Sequence, residues 1–485
     1  MRNKFVTGVR VAALAAFALS GLLAASAANA AATIVIFNAD FDGEGFNDTT
    51  PVAPVGGNPG TTRGQQRLNA FKAAANKWGS TLTSPVPIVV YAFFDHLDCD
   101  AGSAVLGSAG AWSVYSDFPN APKPDTWYPT ALADKLAGVA LDDTLPDIFA
   151  VFNNDLGTPG CLTGAPFYLG LDNNHGPLID LVTVLTHEFG HGLGFQTFTD
   201  ESDGTYYFGT RSVWDHFMRD TTQNLLWTEM TDAQRKASAI NPRKLVWTGA
   251  NVTAAAPSVL SFGVPQLRVN GPAAGAATGS YELGTASFGP LLANPGVTGE
   301  VMPISTATST AGDGCAAFSA ADKLAVTGNI ALISRGVCGF TTKVKNAQNA
   351  GAIGVIIADN LPGGPPPGLG VGPADPLAPT ITIPSARVTL ADGIKLRASL
   401  NKRSRSKSGV IGTLGVNPAQ LAGADPMGFV QLYTPNPVQP GSSVSHYDTG
   451  AFKNLLMEPA INGDLTHEVT PPNDLTYPLF KDIGW

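Results

Sequence analysis

Apolar positions recur with two periods along the first two hundred residues. Residues 33–37 and 86–94 are β-branched and aromatic runs, and each predicts a strand. Between them, 65–82 places Leu68, Phe71, Ala75 and Trp78 at helical spacing. Residues 146–152 give a further short apolar strand, and 167–171 another. The stretch 177–193 opens on a proline and carries Leu178, Leu181, Val182, Leu185 and Phe189 on a helical repeat. Gly194 is expected to end that helix. The pattern changes near Pro257, where Gly, Ala, Pro and Thr dominate and aromatics thin out as far as about residue 409. Inside this zone 329–334 reads as a strand, 341–350 as a helix and 354–358 as a strand. That β-α-β succession implies a small domain with its own core. Residues 361–379 are too rich in Gly and Pro for regular structure and are expected to be a surface loop. After residue 410 the earlier character returns, ending in a short helical stretch before Trp485. No internal repeat at a fixed period is present.

Length changes the picture first: 485 residues exceed one compact core, so two or more domains are expected. The first thirty residues read as a secretory leader rather than fold. Arg2, Lys4 and Arg10 precede a short apolar stretch over 11–23, and Ala28-Asn29-Ala30 supplies the small-x-small cleavage pattern. No other stretch has the uninterrupted apolar length of a spanning helix. Losing the leader's three positive charges takes the formal charge from −9 to −12. An acidic chain is poorly suited to nucleic acid or anionic membranes. The one basic run, Lys402, Arg403, Arg405 and Lys407, is expected to be a solvated loop. Export into an oxidising compartment, extracellular or periplasmic, makes four cysteines two disulfides. Their positions favour Cys99 with Cys161 and Cys315 with Cys338.

Chemistry concentrates in His187-Glu188-Phe189-Gly190-His191-Gly192-Leu193-Gly194. Residues four apart on a helix lie on one face, so His187 and His191 project both imidazoles together. Two ring nitrogens so placed suit one Zn²⁺. Glu188, one position on, can accept a proton from an attacking water and later pass it to a leaving amine. Catalytic zinc needs a third protein ligand. The compact pattern H-E-x-x-H-x-x-G-x-x-H matches at Gly194 but would place its last histidine at 197, which is Thr197. The remaining candidates are His96, His175, His216, His446 and His467, or a carboxylate such as Asp215.

The segment Ser443-Val444-Ser445-His446, with Met457 eleven positions on, resembles the leishmanolysin-like branch of the metzincin zinc metallopeptidases. In that branch the third histidine arrives late, after an insertion, and a methionine turn follows. The resemblance implies His446 as third ligand and Met457 as the apolar floor beneath the metal. Residues 314–315, 330–340 and 347–355 resemble a protease-associated (PA) domain, which carries no catalytic group of its own. The implied fold is α+β: a mixed twisted sheet with the active-site helix and a small C-terminal subdomain, interrupted by an α/β PA domain. The expected boundaries are 1–30 leader, 31–257 N-terminal catalytic subdomain, 258–415 PA domain and 416–485 C-terminal catalytic subdomain.

Two weaker signals complete the reading. Asp40, Asp42, Glu44, Asn47 and Asp48 have the oxygen density of a Ca²⁺ loop, yet Pro51 stands where an EF-hand needs glutamate, which favours a polar turn. Trp214-Asp215-His216-Phe217 looks ligand-like but is expected to pack against the catalytic helix. The function expected is a secreted zinc endopeptidase acting on proteins or peptides. The rival is a secreted binding or adhesion protein that works through its PA domain; retention of Glu188 beside both histidines argues against it.

Overall fold

The computed structural model describes residues 31–308, 311–371 and 375–485; the secretory leader reading falls outside them. The chain divides into two compact units, one formed by the described residues up to Leu260 together with Gly423–Trp485, the other by Ser261–Ala422.

In the first unit β1 (Ile34–Asn38), β2 (Ile88–Asp95), β3 (Gly107–Ala111) and β4 (Ile148–Asn153) make a sheet in the order β1-β2-β4-β3. The first three neighbours run parallel, and β3 pairs antiparallel with β4 as an edge strand. β2 alternates strictly: Ile88, Val90, Ala92 and Phe94 are buried, whereas Val89, Tyr91 and Phe93 lie nearer solvent. The buried face receives α1 (Arg63–Thr81), whose Phe71 and Trp78 are fully enclosed. Thr62 caps α1 by accepting from the Gln65 N–H. Beside it α2 (Leu181–Leu193), buried at every residue, packs against α1 and against strands β3 and β4. Phe71 bridges the layers, 5.0 Å from Phe152 of β4 and 6.0 Å from Phe189 of α2.

The helix expected from residue 177 begins instead at Leu181. Asp180 is its cap, accepting from the Thr183 N–H at 2.7 Å, while Ile179–Asp180 pair in parallel with Phe167–Tyr168. A capping carboxylate sets the start more firmly than the earlier proline. Gly194 closes the helix with φ +124°, a conformation that costs glycine little, and a side chain there would meet Ile483 and Pro129.

The second unit contains β5 (Phe262–Asn270), β6 (Gly279–Glu282), β7 (Gly284–Thr285), β8 (Val297–Pro303), α3 (Ala320–Val326), β9 (Ile330–Ser334), α4 (Phe340–Asn349), β10 (Gly354–Ala358), β11 (Ser385–Val388), α5 (Leu390–Ser399) and β12 (Ile411–Leu421). Its eight strands run in the order β6-β5-β12-β8-β9-β10-β11-β7, with β8 to β11 parallel. β9 and β10 are buried on both faces, as a parallel sheet covered on both sides requires. Val344 and Ala347 of α4 join the core on one face, and Leu396 and Leu400 near the end of α5 join the other. β12 continues past residue 415 to Leu421, where it pairs with Phe262 at the start of β5. The composition change at Pro257 lies inside the helix Ala250–Val259 of the first unit.

Cys99–Cys161 and Cys315–Cys338 both form, the expected pairs. No described helix is long and apolar enough to cross a membrane.

Candidate metal centre

His187 and His191 sit one turn apart on α2, with their rings 4.8 Å between centroids. The third imidazole comes from the far end of the chain. The N–H of Thr197 donates to the Ser445 hydroxyl at 3.1 Å, so the residue before His446 docks where the compact pattern would have carried its own histidine. The Nε2 atoms of His191 and His187 lie 3.1 Å apart, those of His191 and His446 3.2 Å, and those of His446 and His187 3.3 Å.

Each Nδ1 meets a backbone carbonyl: His187 that of Leu456 at 2.7 Å, His191 that of Phe195 at 2.8 Å, His446 that of Ser442 at 2.8 Å. A carbonyl only accepts, so each Nδ1 carries the proton and each Nε2 presents a lone pair. Burial holds all three rings neutral: His187 is pulled down to about 4, His191 to about 3, and His446 well below the ordinary histidine value. Three inward lone pairs repel one another unless a cation lies between them. A tetrahedral ion with Zn–N bonds of roughly 2.0–2.1 Å needs nitrogens about 3.4 Å apart. The donor set therefore fits one Zn²⁺ with one position open.

Met457 lies beneath. A methyl built on Gly190, between the two helical histidines, would stand 2.9 Å from the Met457 sulfur. The Met457 carbonyl accepts from the Tyr447 N–H at 2.8 Å, and its neighbour Leu456 orients His187, so one turn supports two imidazoles. That turn is held by Asp474, which accepts from the Leu456 N–H at 2.7 Å.

Glu188 is 8% exposed, and burial raises its carboxyl to about 8 against the pull of the Ala109 backbone N–H on β3. A cation beside it would favour the ionised form. Sequence reasoning missed β3, because Gly107-Ser108-Ala109-Gly110-Ala111 has neither alternation nor β-branching. An aromatic residue following it, Trp112, was the only cue.

The other ligand candidates lie elsewhere. Asp215 is fully buried, accepting from Thr197 and Thr199 hydroxyls at 2.8 and 2.9 Å. His216 meets the Thr126 hydroxyl, His96 meets Asp155, His175 the Leu178 carbonyl, and His467 meets Asp180. Among the described residues, His187, His191 and His446 are the group arranged to hold a metal. The supposed Ca²⁺ loop is a polar turn: Asp40 accepts from the Phe46 and Phe94 N–H groups, so its oxygens serve the fold.

Residues 297–396 match the family model described as PA domain. This chain contains a PA domain. Over 122 residues the chain is 28% identical to the minor extracellular protease Vpr of Bacillus subtilis (strain 168), covering 24% of this chain and 14% of that relative. Among solved structures, an aminopeptidase from Aneurinibacillus sp. strain AM-1 is 24% identical, over 33% of this chain and 31% of that one, with TM-score 0.23. A zinc aminopeptidase from Bacillus subtilis is 23% identical, over 34% and 36% of the two chains, with TM-score 0.22. At these TM-scores neither structural likeness bears on the histidine cluster, and the PA match lies within the second unit.

Proposed function

We propose that the chain is a secreted zinc endopeptidase of the metzincin type, close to the leishmanolysin-like branch, with its PA domain spliced between the second and third ligands. The observation that carries this reading is the triangle of Nε2 atoms, 3.1 to 3.3 Å on a side, drawn from two turns of one helix and a residue 255 positions later. His187, His191 and His446 would hold the ion, and Glu188 would be the general base. Zinc held there would supply Lewis acidity, lowering the pKa of a bound water and polarising the scissile carbonyl. Glu188 then takes the water's proton on its carboxylate and returns it to the leaving amine. The Ala109 N–H fixes the carboxylate's position. β3, a sheet edge of small residues, gives an extended peptide a strand to lie against. The protease match through Vpr and the two disulfides agree with an exported peptidase acting on proteins.

Casein zymography with and without chelator tests the reading, together with Glu188→Ala. The expected result is activity lost to chelator, restored by zinc, and reduced about 10²–10⁴-fold in the variant with zinc content unchanged. His446→Ala should lose bound zinc. Full activity in the presence of chelator, or undiminished zinc in His446→Ala, would sink the assignment.

A further inference from the structure

The PA domain contains a cleft of its own. It occupies ≈ 400 Å³ and opens at the carboxyl ends of the parallel strands β9 and β10, against α5. Its walls are Ser334 at the end of β9 and Arg335 after it, Asp359 after β10, and Ile394 and Arg397 from α5, with Val337 on the loop beyond β9.

The charges there do not balance. Asp359 is fully used: its Oδ1 accepts from Arg335 at 3.0 Å and from the Asn360 and Leu361 N–H groups, and its Oδ2 accepts twice from Arg387. Arg397 meets only a neutral partner among the described residues, donating to the Ser334 hydroxyl at 3.0 Å, and that hydroxyl donates onward to the Ala311 carbonyl. Arg335 and Arg387 thus share one committed carboxylate, while Arg397, which lines the same cleft, has no acidic partner among the described residues. Arg397 is partly buried, and loss of water pulls its value down with no acidic group to raise it. Alongside stand two exposed apolar side chains, Val337 at 59% and Ile394 at 60%. Val337 holds φ +73°, an outlying conformation for a β-branched residue of the kind found at ligand clamps. The disulfide at Cys338 anchors that loop.

We infer that this cleft binds the free carboxyl end of a peptide whose last side chain is apolar. The carboxylate would pair with Arg397, an arginine being suited to bidentate carboxylate recognition. The terminal side chain would lie on Val337 and Ile394. The site takes its ligand whether or not the histidine cluster hydrolyses peptides, so it goes beyond the peptidase reading rather than depending on it. A carboxylate can also come from an internal Asp or Glu, and the test separates the two.

The experiment is fluorescence anisotropy with the full chain carrying Glu188→Ala, which prevents turnover. The probes are a labelled tetrapeptide ending in leucine as free acid, its C-terminal amide, and an amide with an internal glutamate. The free acid is expected to bind at least about tenfold tighter than either amide. Arg397→Met should abolish that preference. Ile394→Asp, an exposed helix position tolerant of change, should weaken the free acid about tenfold or more. His446→Ala should leave binding as it was. Equal binding of acid and amide, an internal glutamate binding as well as the terminal acid, no saturable binding, or loss of binding in His446→Ala would each overturn the inference.

Discussion

At the scale of single residues, the histidine cluster depends on side chains that are absent as much as on those present. Gly192 faces β4, where an added methyl would lie 2.4 Å from the Ile148 Cγ2 carbon. Gly192→Ala should therefore destabilise the fold by about 1–3 kcal/mol through overpacking. Thermal melting of the metal-free protein reads this, and an unchanged melting temperature would refute it. A second residue-scale expectation concerns Asp147 and Asp134, both buried and in hydrogen-bond contact with each other. Burial first, then the neighbouring carboxylate, raises Asp147 to about 7, while Asp134 is also raised, with Asp142 contributing. A carboxyl raised on folding binds its proton more tightly in the native state. Its contribution is present below the unfolded value of about 4 and fades as pH climbs toward 7. Asp147→Asn keeps an acceptor for the Val89 N–H and removes the titration. Its melting temperature should rise relative to the parent's between pH 4 and 7; a difference independent of pH would contradict the pairing.

At the scale of elements, α2 is fixed at both ends by local chemistry. Asp180→Ala removes the cap on Thr183 and the partner of His467. The expected cost is about 1 kcal/mol, measured by denaturant unfolding. Elements with strong periodicity were legible in the sequence: β2 from its β-branched run, α1 from Phe71 and Trp78, and β9, α4 and β10 from their succession. α2 was legible as a helix but not in its start, because Pro177 and Asp180 are both opening residues and only tertiary pairing at Ile179 decides between them. β3 was not legible at all. Its five small residues form a strand because β4 offers a free ladder and α2 a close wall, and neither condition is written in the segment itself. His187, Glu188 and His191 could be grouped as candidates from spacing alone. His446 could not, since no local pattern links it to a helix 255 positions earlier; only the resemblance of its surroundings pointed there.

At the scale of the whole molecule, the cystine between Cys99 and Cys161 closes 62 residues of the first unit. Cys99→Ser with Cys161→Ser should lower stability by about 2–4 kcal/mol, seen as a reduced denaturant midpoint with a steeper slope, because the opened unfolded chain exposes more surface. The pairing of Phe262 with Leu421 has a further consequence. Because the first and last strands of the PA unit lie side by side, the polypeptide leaves the first unit and re-enters it through two adjoining threads. To the histidine cluster, about 160 intervening residues count entropically as a tether of only a few links. Were the same residues a slack coil, closing that gap would cost about 4 kcal/mol more, drawn directly from the free energy that keeps the third imidazole at its post.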